Sequence, residues 1–144
     1  MYGLKMADGD IAVRGDGNVT EISGRERIEQ ELSHWLLEPV GTDTIYGGFG
    51  STLQDCVGNP MLDEYISDVR SEVLRVLGNY IEYQNRMIKR DRERDVSTYL
   101  RNWPDEDIVV SVSRIDVTAV ADTLKVRIEL TTAAGTTIYV NKNL

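Results

Sequence analysis

The stretch ISGRERIEQELSHWLLEPVGTDTIYGGFGSTL, residues Ile22 to Leu53, decides the predicted fold. Its first half places apolar side chains at i, i+4, i+7 and i+8, which is the spacing of one helix face. These side chains are Ile28, Leu32, Trp35 and Leu36. A proline and a glycine at 39 and 41 then end the helix. The glycine-rich second half predicts a tight loop that packs back on the core through its aromatic residues.

Polar residues of the same helix predict how it begins and which side faces solvent. Ser23 precedes the helix and Glu26 follows three residues later, which is the spacing of a capping box. Arg27 and His34 lie off the apolar stripe, so both are predicted to face solvent. His34, the only histidine, is therefore predicted to be neither a ligand nor a catalytic base.

The cluster Gly47-Gly48-Phe49-Gly50 invites comparison with phosphate-binding loops. Such loops follow a strand and continue into Gly-Lys-Ser/Thr, and this cluster has neither feature. The pattern instead favours a loop anchored by Phe49, and no cofactor is expected.

Length and charge limit the classes of protein that this chain can be. Its 144 residues suit a single domain, residues 1–144, with a core that needs neither disulfides nor metal. The formal net charge is −8, and because phosphate neutralisation supplies most non-specific affinity for nucleic acid, no nucleic-acid partner is expected. No run reaches the roughly 18 apolar residues that span a bilayer, and the N-terminus lacks a signal-peptide pattern. We therefore expect a soluble protein made in the cytosol, without a membrane partner.

A second amphipathic pattern runs from Pro60 to Ile88 and predicts a long helix. Such a helix is roughly 40 Å long, which exceeds what a small sheet can cover. The segment KRDRERD at 89–95 has charges of mixed sign and predicts a solvated helix end. We expect the far end of this helix to pack on another chain.

Two parts of the sequence have β patterns. Short apolar pieces on both sides of residues 14–18 predict an N-terminal hairpin with its turn there. Near the C-terminus, alternation from Ile108 to Val112 places Val110 with the inner set, and the opposite parity from Ile115 onward predicts a β-bulge near Ser113-Arg114. Two further strands follow turns at 121–122 and 134–135. The predicted fold class is α+β, with two helices, one of them long, packed on a small antiparallel sheet that ends in a three-stranded meander.

The acidic residues form no recognisable catalytic pair. Glycoside hydrolysis needs two carboxyl groups that flank a cleft at a defined separation. Glu26, Glu29 and Glu31 lie on a short helix beside arginines, which predicts surface ion pairs without an aromatic cluster for substrate. The sequence also lacks a two-histidine motif and a calcium-loop spacing. We therefore expect neither catalysis nor a metal site.

Several short motifs, taken in order, resemble one family. Asp10-Ile11 precedes a glycine turn, and Ser23-Gly24-Arg25-Glu26 leads into the helix. Gly41-Thr42-Asp43 then precedes Phe49-Gly50-Ser51-Thr52-Leu53. Together they resemble the small lysozyme-like baseplate wedge proteins of contractile phage tails, which are related to components of type VI secretion systems and phage-tail-like particles. The family also has a long helix and a closing meander, so the resemblance covers nearly the whole chain.

The resemblance implies a non-enzymatic structural protein of the virion tail baseplate, synthesised and assembled in the host cytoplasm. Relatives join the baseplate wedges and give the contractile sheath its first docking surface. The implied partners are therefore other baseplate wedge proteins and the sheath protein, with tube or hub proteins as further candidates. Six copies around the tail tube are also implied.

The candidate protein-binding residues include some near a segment where this chain differs from the family and others along the terminal strand. Many members carry Glu-Pro-Arg where the long helix meets the first long strand, whereas this chain has Trp103-Pro104-Asp105. The terminal strand leaves an edge that can pair with a neighbouring chain. The candidate contacts are Trp103, Asp105, Arg114, Ile138, Tyr139 and Val140.

Two alternative functions stay open. A muralytic glycosidase is motivated by the lysozyme label of the family and by the number of carboxylates. A soluble adaptor or anti-adaptor is motivated by a relative of this fold that binds a response regulator.

Overall fold

The fold is α+β and combines two helices with small antiparallel sheets, which confirms the predicted fold class. The computed structural model describes residues 2–56, 63–94, 102–121 and 123–144. In chain order the elements are β1 (Tyr2–Leu4), β2 (Met6–Ala7), β3 (Asp10–Ile11), β4 (Glu21–Ser23), α1 (Gly24–Leu37), α2 (Asp63–Glu93), β5 (Val109–Val120), β6 (Thr123–Thr132) and β7 (Thr137–Asn143).

The N-terminal residues form a ribbon in which β1 pairs with β4 and β2 with β3. The Arg14 N–H donates to the Asn18 carbonyl at 2.7 Å, which confirms the predicted turn at 14–18. The ribbon is tied to α1 through one side-chain amide. Gln30 accepts from the Met6 N–H and donates to the Leu4 carbonyl, both at 2.8 Å.

Helix α1 begins without the predicted capping box. Ser23 is the last residue of β4, its backbone is extended, and its side chain makes no cap hydrogen bond. Glu26 forms an ion pair with Lys5 at 2.7 Å instead of returning to the start of the helix. The capping-box prediction was wrong because pairing in the ribbon determines how the chain enters α1.

After α1 the chain folds back as a hook, residues 38–56, which packs against both helices. The Ser51 N–H donates to the Glu38 carbonyl at 2.8 Å, and the Ser51 hydroxyl donates to the Leu36 carbonyl at 2.5 Å. Gly50 has a φ of 95°, and a Cβ there would lie 2.6 Å from the Glu38 oxygen, so the turn requires glycine. The hook then inserts Leu53 into the core, as the loop prediction required.

Helix α2 is continuous over 31 residues and is about 46 Å long. The predicted start at Pro60 lies outside the described residues, and the helix continues past Ile88 to Glu93. Its far end already packs on this chain, because Ile88 and Asp91 are both buried. Any contact of this end with another chain therefore involves the remaining, exposed side chains.

Strands β5, β6 and β7 form the predicted three-stranded antiparallel meander, in that order. A register shift between Val112 and Arg114 confirms the predicted bulge, and a second shift lies between Val109 and Ser111. Because of this second shift, Val109 is 1% exposed whereas Val110 is 50% exposed. The inward placement of Val110 was therefore wrong, since an extra residue reverses the alternation of a strand.

Both helices and the inner face of the meander contribute to one core cluster. The stripe of α1 predicted from Ile28 to Leu36 is buried, and Trp35 belongs to it. The glutamate at position 72 of α2 connects this core to the hook. Its carboxylate accepts hydrogen bonds from Arg75 at 2.7 Å and from the Thr52 N–H at 2.8 Å.

Hydrogen bonding, first from Arg75 and then from Thr52, lowers the pKa of Glu72 from 4.5 to about 2. Because the folded-state pKa is depressed, the stabilisation is present above pH 4.5 and is lost as the pH falls towards about 2. We expect Glu72→Gln to flatten the pH dependence of the free energy of unfolding in that window, as measured by urea denaturation. Glu82→Gln is the matched control, because the Glu82–Arg86 pair lies on the same helix with a Glu82 side chain 57% exposed. Identical pH profiles for wild type and Glu72→Gln would contradict the assignment.

Candidate protein-interaction surface

Polar contacts around the buried Arg27 side chain and its half-buried partner Glu31 join the two helices where they meet the start of the meander. The Arg27 side chain is 2% exposed and pairs through Nη1 with Glu31 Oε1 at 2.6 Å. Its Nη2 donates to the Asp107 carbonyl at 2.9 Å. The Tyr80 hydroxyl of α2 donates to the second Glu31 oxygen at 2.9 Å. The pair therefore links α1, α2 and the 3₁₀ turn Asp105–Asp107.

The charges around Arg27 keep it ionised despite its burial. Burial opposes the charge, but the attraction of Glu31 and Asp107 outweighs it and the pKa of Arg27 is raised. Burial, followed by the negative charge of Glu31, raises the pKa of Tyr80 well above its ordinary value. The Tyr80 hydroxyl is therefore protonated and able to donate at neutral pH.

Trp103 and Asp91 extend this arrangement to the far end of α2. The Trp103 ring lies against the Arg27 guanidinium, 5.3 Å from Cζ to the ring centroid. Its indole Nε1 donates to Asp91 Oδ2 at 3.1 Å. We call Arg27, Glu31, Tyr80, Asp91 and Trp103 the buried junction. Trp103, predicted as a partner contact, thus makes contacts within its own chain.

The polar contacts of α2 continue into the first strand of the meander. The buried Gln84 amide donates to the Val109 carbonyl and accepts from the Val109 N–H, both at 2.9 Å. These two bonds reproduce the pairing that a neighbouring strand would provide. They also place the second bulge of β5 at a defined position along α2.

Sequence reasoning missed the buried junction. Arg27 was predicted to face solvent, and this was wrong, because Asp107 and Trp103 cover it from a distant part of the chain. The only local signal was the i, i+4 spacing of Arg27 and Glu31. That spacing equally describes the exposed Arg25–Glu29 pair, so it did not separate a buried pair from a surface pair.

The outer face of the meander carries polar side chains in rows across the strands. The register aligns Arg114, Glu129 and Tyr139 in one row and Asp116 with Arg127 in the next. Arg114 pairs with Asp116 at 2.8 Å, and the Arg127 guanidinium lies 5.0 Å from the centroid of the Tyr139 ring. The predicted contacts Arg114 and Tyr139 thus lie on the same face, on either side of β6.

The outer edge of β7 is defined by its hydrogen bonds to β6. Leu124 and Leu144 exchange both backbone hydrogen bonds, at 3.0 and 2.8 Å. Because bonded pairs alternate along an antiparallel ladder, even-numbered residues of β7 bond to β6 and odd-numbered residues direct their backbone groups outward. These outward residues are Thr137, Tyr139, Asn141 and Asn143. Among the described strands, none pairs with this edge.

The predicted stretch Ile138 to Val140 therefore divides into two kinds of residue. Ile138 and Val140 pair with β6 and their side chains are buried in the core. Tyr139 alone directs both its side chain and its backbone groups away from the core. Asp105 is exposed, and its carbonyl accepts from the Ala134 N–H at 3.2 Å, which places it at the β6–β7 turn.

An aromatic cleft of about 380 Å³ lies between α1, the hook and α2. We define the aromatic cleft by its lining residues, Gln30, Glu31, His34, Trp35, Asp43, Ile45, Tyr46, Phe49 and Tyr83. The expectation that no aromatic cluster accompanies the acidic residues was therefore wrong, because the hook brings distant rings to α1. Both oxygens of Glu31 already accept hydrogen bonds, from Arg27 and Tyr80, so this carboxylate is held as an acceptor rather than as a proton donor.

Other kinds of site find no support in the described part of the chain. Across residues 2–56, 63–94, 102–121 and 123–144, no three His, Cys, Asp or Glu side chains group as metal ligands. None of the helices described in those ranges is long and apolar enough to cross a bilayer. No family model matches the sequence, and neither does any curated protein. The resemblance to baseplate wedge proteins thus stands on the motifs quoted above.

The buried junction makes a specific prediction about stability. We expect Arg27→Ala to lower the free energy of unfolding by about 3 kcal/mol, because it empties a fully buried site and leaves the Asp107 carbonyl without its hydrogen-bond donor. Urea denaturation measures the difference. Arg25→Ala is the matched control on the same helix, where an exposed pair contributes less than about 1 kcal/mol. Similar losses in the two variants would show that the Arg27 pair behaves as a surface pair.

Proposed function

We propose that this chain is a structural, non-enzymatic component of a contractile-tail baseplate that joins wedge proteins and gives the sheath a docking surface. The order of sequence motifs supports the proposal. The structural observation that carries it is the outer edge of β7, which no described strand covers. On this proposal the partners are other baseplate wedge proteins, the sheath protein and the tube or hub proteins, with six copies in the particle.

The outer edge of β7 has the properties needed to accept a strand from a neighbour. Thr137–Asn143 spans seven residues, or about 23 Å, and its odd-numbered residues offer unpaired backbone donors and acceptors. Natural edges are often blocked by proline, bulges or charges. The β6–β7 register is regular, and the one charged residue of β7, Lys142, lies near its end. Pairing is therefore most favourable between Thr137 and Asn141.

The start of β5 is less available for pairing with a partner strand than the outer edge of β7 is. The Gln84 side chain occupies the backbone N–H and carbonyl of Val109. The β5 register is interrupted twice, and bulges disrupt the regular row of groups that a partner strand needs. The two edges of the meander thus differ, and β7 is the one suited to assembly.

The glycosidase alternative has weaker support. An acid catalyst must deliver a proton to the leaving group, whereas both oxygens of Glu31 accept hydrogen bonds from Arg27 and Tyr80. An adaptor would use the same kind of edge to bind a different partner. The neighbouring genes distinguish the baseplate function from both alternatives, since tail-tube, sheath and wedge genes beside this one favour the baseplate.

Deletion of the gene from the producing phage or particle tests the proposal directly. We expect particles without contractile sheaths, visible by electron microscopy, because the sheath lacks its first docking surface. Expression of the wild-type chain in trans restores sheathed tails. Normal sheathed and contractile tails without the protein would exclude the proposed function.

Asn141→Pro tests the role of the β7 edge. Proline removes an N–H that points away from β6, so the ladder between β6 and β7 keeps its hydrogen bonds. We expect the variant to melt close to the wild-type temperature while capture of the sheath or wedge proteins in a pull-down is lost. Ala119→Pro is the matched control, because the same alternation directs the Ala119 N–H outward on β5. Full capture by a folded Asn141→Pro variant would rule out pairing at this edge.

A further inference from the structure

The aromatic cleft carries an inference that is independent of the β7 edge. We propose that this cleft binds the guanidinium group of an arginine presented by a partner protein. Its walls are aromatic rings, and a planar guanidinium stacks on such rings while keeping its charge.

The rings of the cleft meet edge to face or at a tilt. Trp35 lies 4.8 Å from Phe49 and 5.7 Å from Tyr83, measured between ring centroids, and Tyr46 lies 5.3 Å from Tyr83. Rings at these distances pack edge to face or at a tilt against one another, and the parts of them that stay exposed line the cleft. Tyr46, Phe49 and Tyr83 are only partly buried, so they are accessible from the cleft.

The charge of the cleft favours a cation. Asp43 Oδ1 accepts from the Ile45 and Tyr46 N–H groups at 2.7 and 2.8 Å, which holds the carboxylate at the wall. Within the described residues no basic side chain pairs with Asp43, whereas Glu31 is paired with Arg27. Asp43 is therefore the negative charge of the cleft that an incoming cation would neutralise.

Two arginines near the cleft are already paired, and His34 is the one basic residue among those that line it. Arg86 bonds to Glu82, and Arg90 bonds to Asp91 at 3.4 Å. Burial is the largest cause that raises the pKa of Tyr83. The negative charges of Glu31 and Asp43 also raise this pKa, and the positive charge of Arg90 lowers it.

Two features of the rim indicate a protein as the source of the cation. The Arg86 guanidinium lies 5.8 Å from the centroid of the Tyr46 ring, so one ring of the cleft already contacts an arginine of this chain. Ile45, also at the cleft, is 96% exposed. The chain segment that carries an incoming arginine would cover this isoleucine, which a free small cation would leave in water.

Titration of the ¹⁵N-labelled full chain with N-acetyl-arginine amide, followed by NMR, tests the proposal without any baseplate partner. We expect saturable shifts of the Asp43, Ile45 and Phe49 amides. N-acetyl-citrulline amide is the neutral analogue of the same shape, and we expect it to bind about tenfold more weakly, the difference expected of a partly desolvated cation–aromatic contact. Equal binding of the two probes, or no saturable shift with the arginine probe, would overturn the proposal.

Asp43→Asn examines the charge separately from the fold. The amide oxygen still accepts from Ile45 and Tyr46, so the local turn is retained while the charge is removed. We expect about fivefold weaker binding of the arginine probe, within the range for losing one partly exposed charge. Asp16→Asn, at an exposed aspartate that likewise accepts from a backbone N–H, that of Asn18, is the matched control and should bind as wild type does. Unchanged binding in Asp43→Asn would overturn the proposed role of the charge.

A glycan probe separates this site from the glycosidase alternative. Triacetylchitotriose presents sugar rings that can stack on aromatic side chains, and it carries no positive charge. If it shifts the cleft amides and the arginine probe does not, the cleft is a glycan site and the arginine proposal fails. All of these titrations use the isolated chain. A negative result in them therefore counts against the arginine site and leaves the baseplate proposal to be tested by the deletion and pull-down experiments.

Discussion

The ion pair between Arg27 and Glu31 is the contact on which the arrangement of the helices and the meander depends. A buried guanidinium is costly unless its charge is paired and its donors are bonded. In Arg27 both Nη atoms are bonded, whereas the buried Nε has no partner among the described residues. Glu31 supplies the charge, the Asp107 carbonyl accepts a hydrogen bond, and Trp103 covers the guanidinium. These partners come from different parts of the chain. The requirement therefore aligns α1 with the segment that leads into β5, and Tyr80 adds α2 to the same network.

Two glutamine side chains attach the helices to strands through hydrogen bonds to backbone groups. Gln30 joins α1 to the N-terminal ribbon, and Gln84 joins α2 to Val109 of β5. Each amide satisfies one backbone donor and one acceptor that would otherwise lack a strand partner. The attachment at Val109 also makes the meander asymmetric. The start of β5 is occupied by its own chain, whereas no described strand pairs with the outer edge of β7.

The hook stabilises the fold and also forms one wall of the aromatic cleft, and the same contacts support both roles. Gly50 allows the sharp turn, and Glu72 holds the Thr52 backbone against α2. Tyr46 and Phe49 are thereby brought against Trp35, which creates the aromatic cleft. Backbone pairing at β7 and cation binding in the cleft are different kinds of recognition. If both proposals hold, one chain can contact two neighbours at once.

The sequence by itself determined the elements whose causes are local. The apolar stripe of α1, the meander, its turns and the bulge near Ser113-Arg114 follow from residue spacing, because neighbouring residues set helix faces and strand parity. Only the tertiary structure decided the burial of Arg27, the failure of the capping box, the second bulge of β5 and the aromatic cleft. Each of these depends on groups distant in sequence, such as Asp107 against Arg27 and Gln84 against Val109. Periodicity describes which side of an element is apolar. It contains no information about which remote residue will cover a polar one.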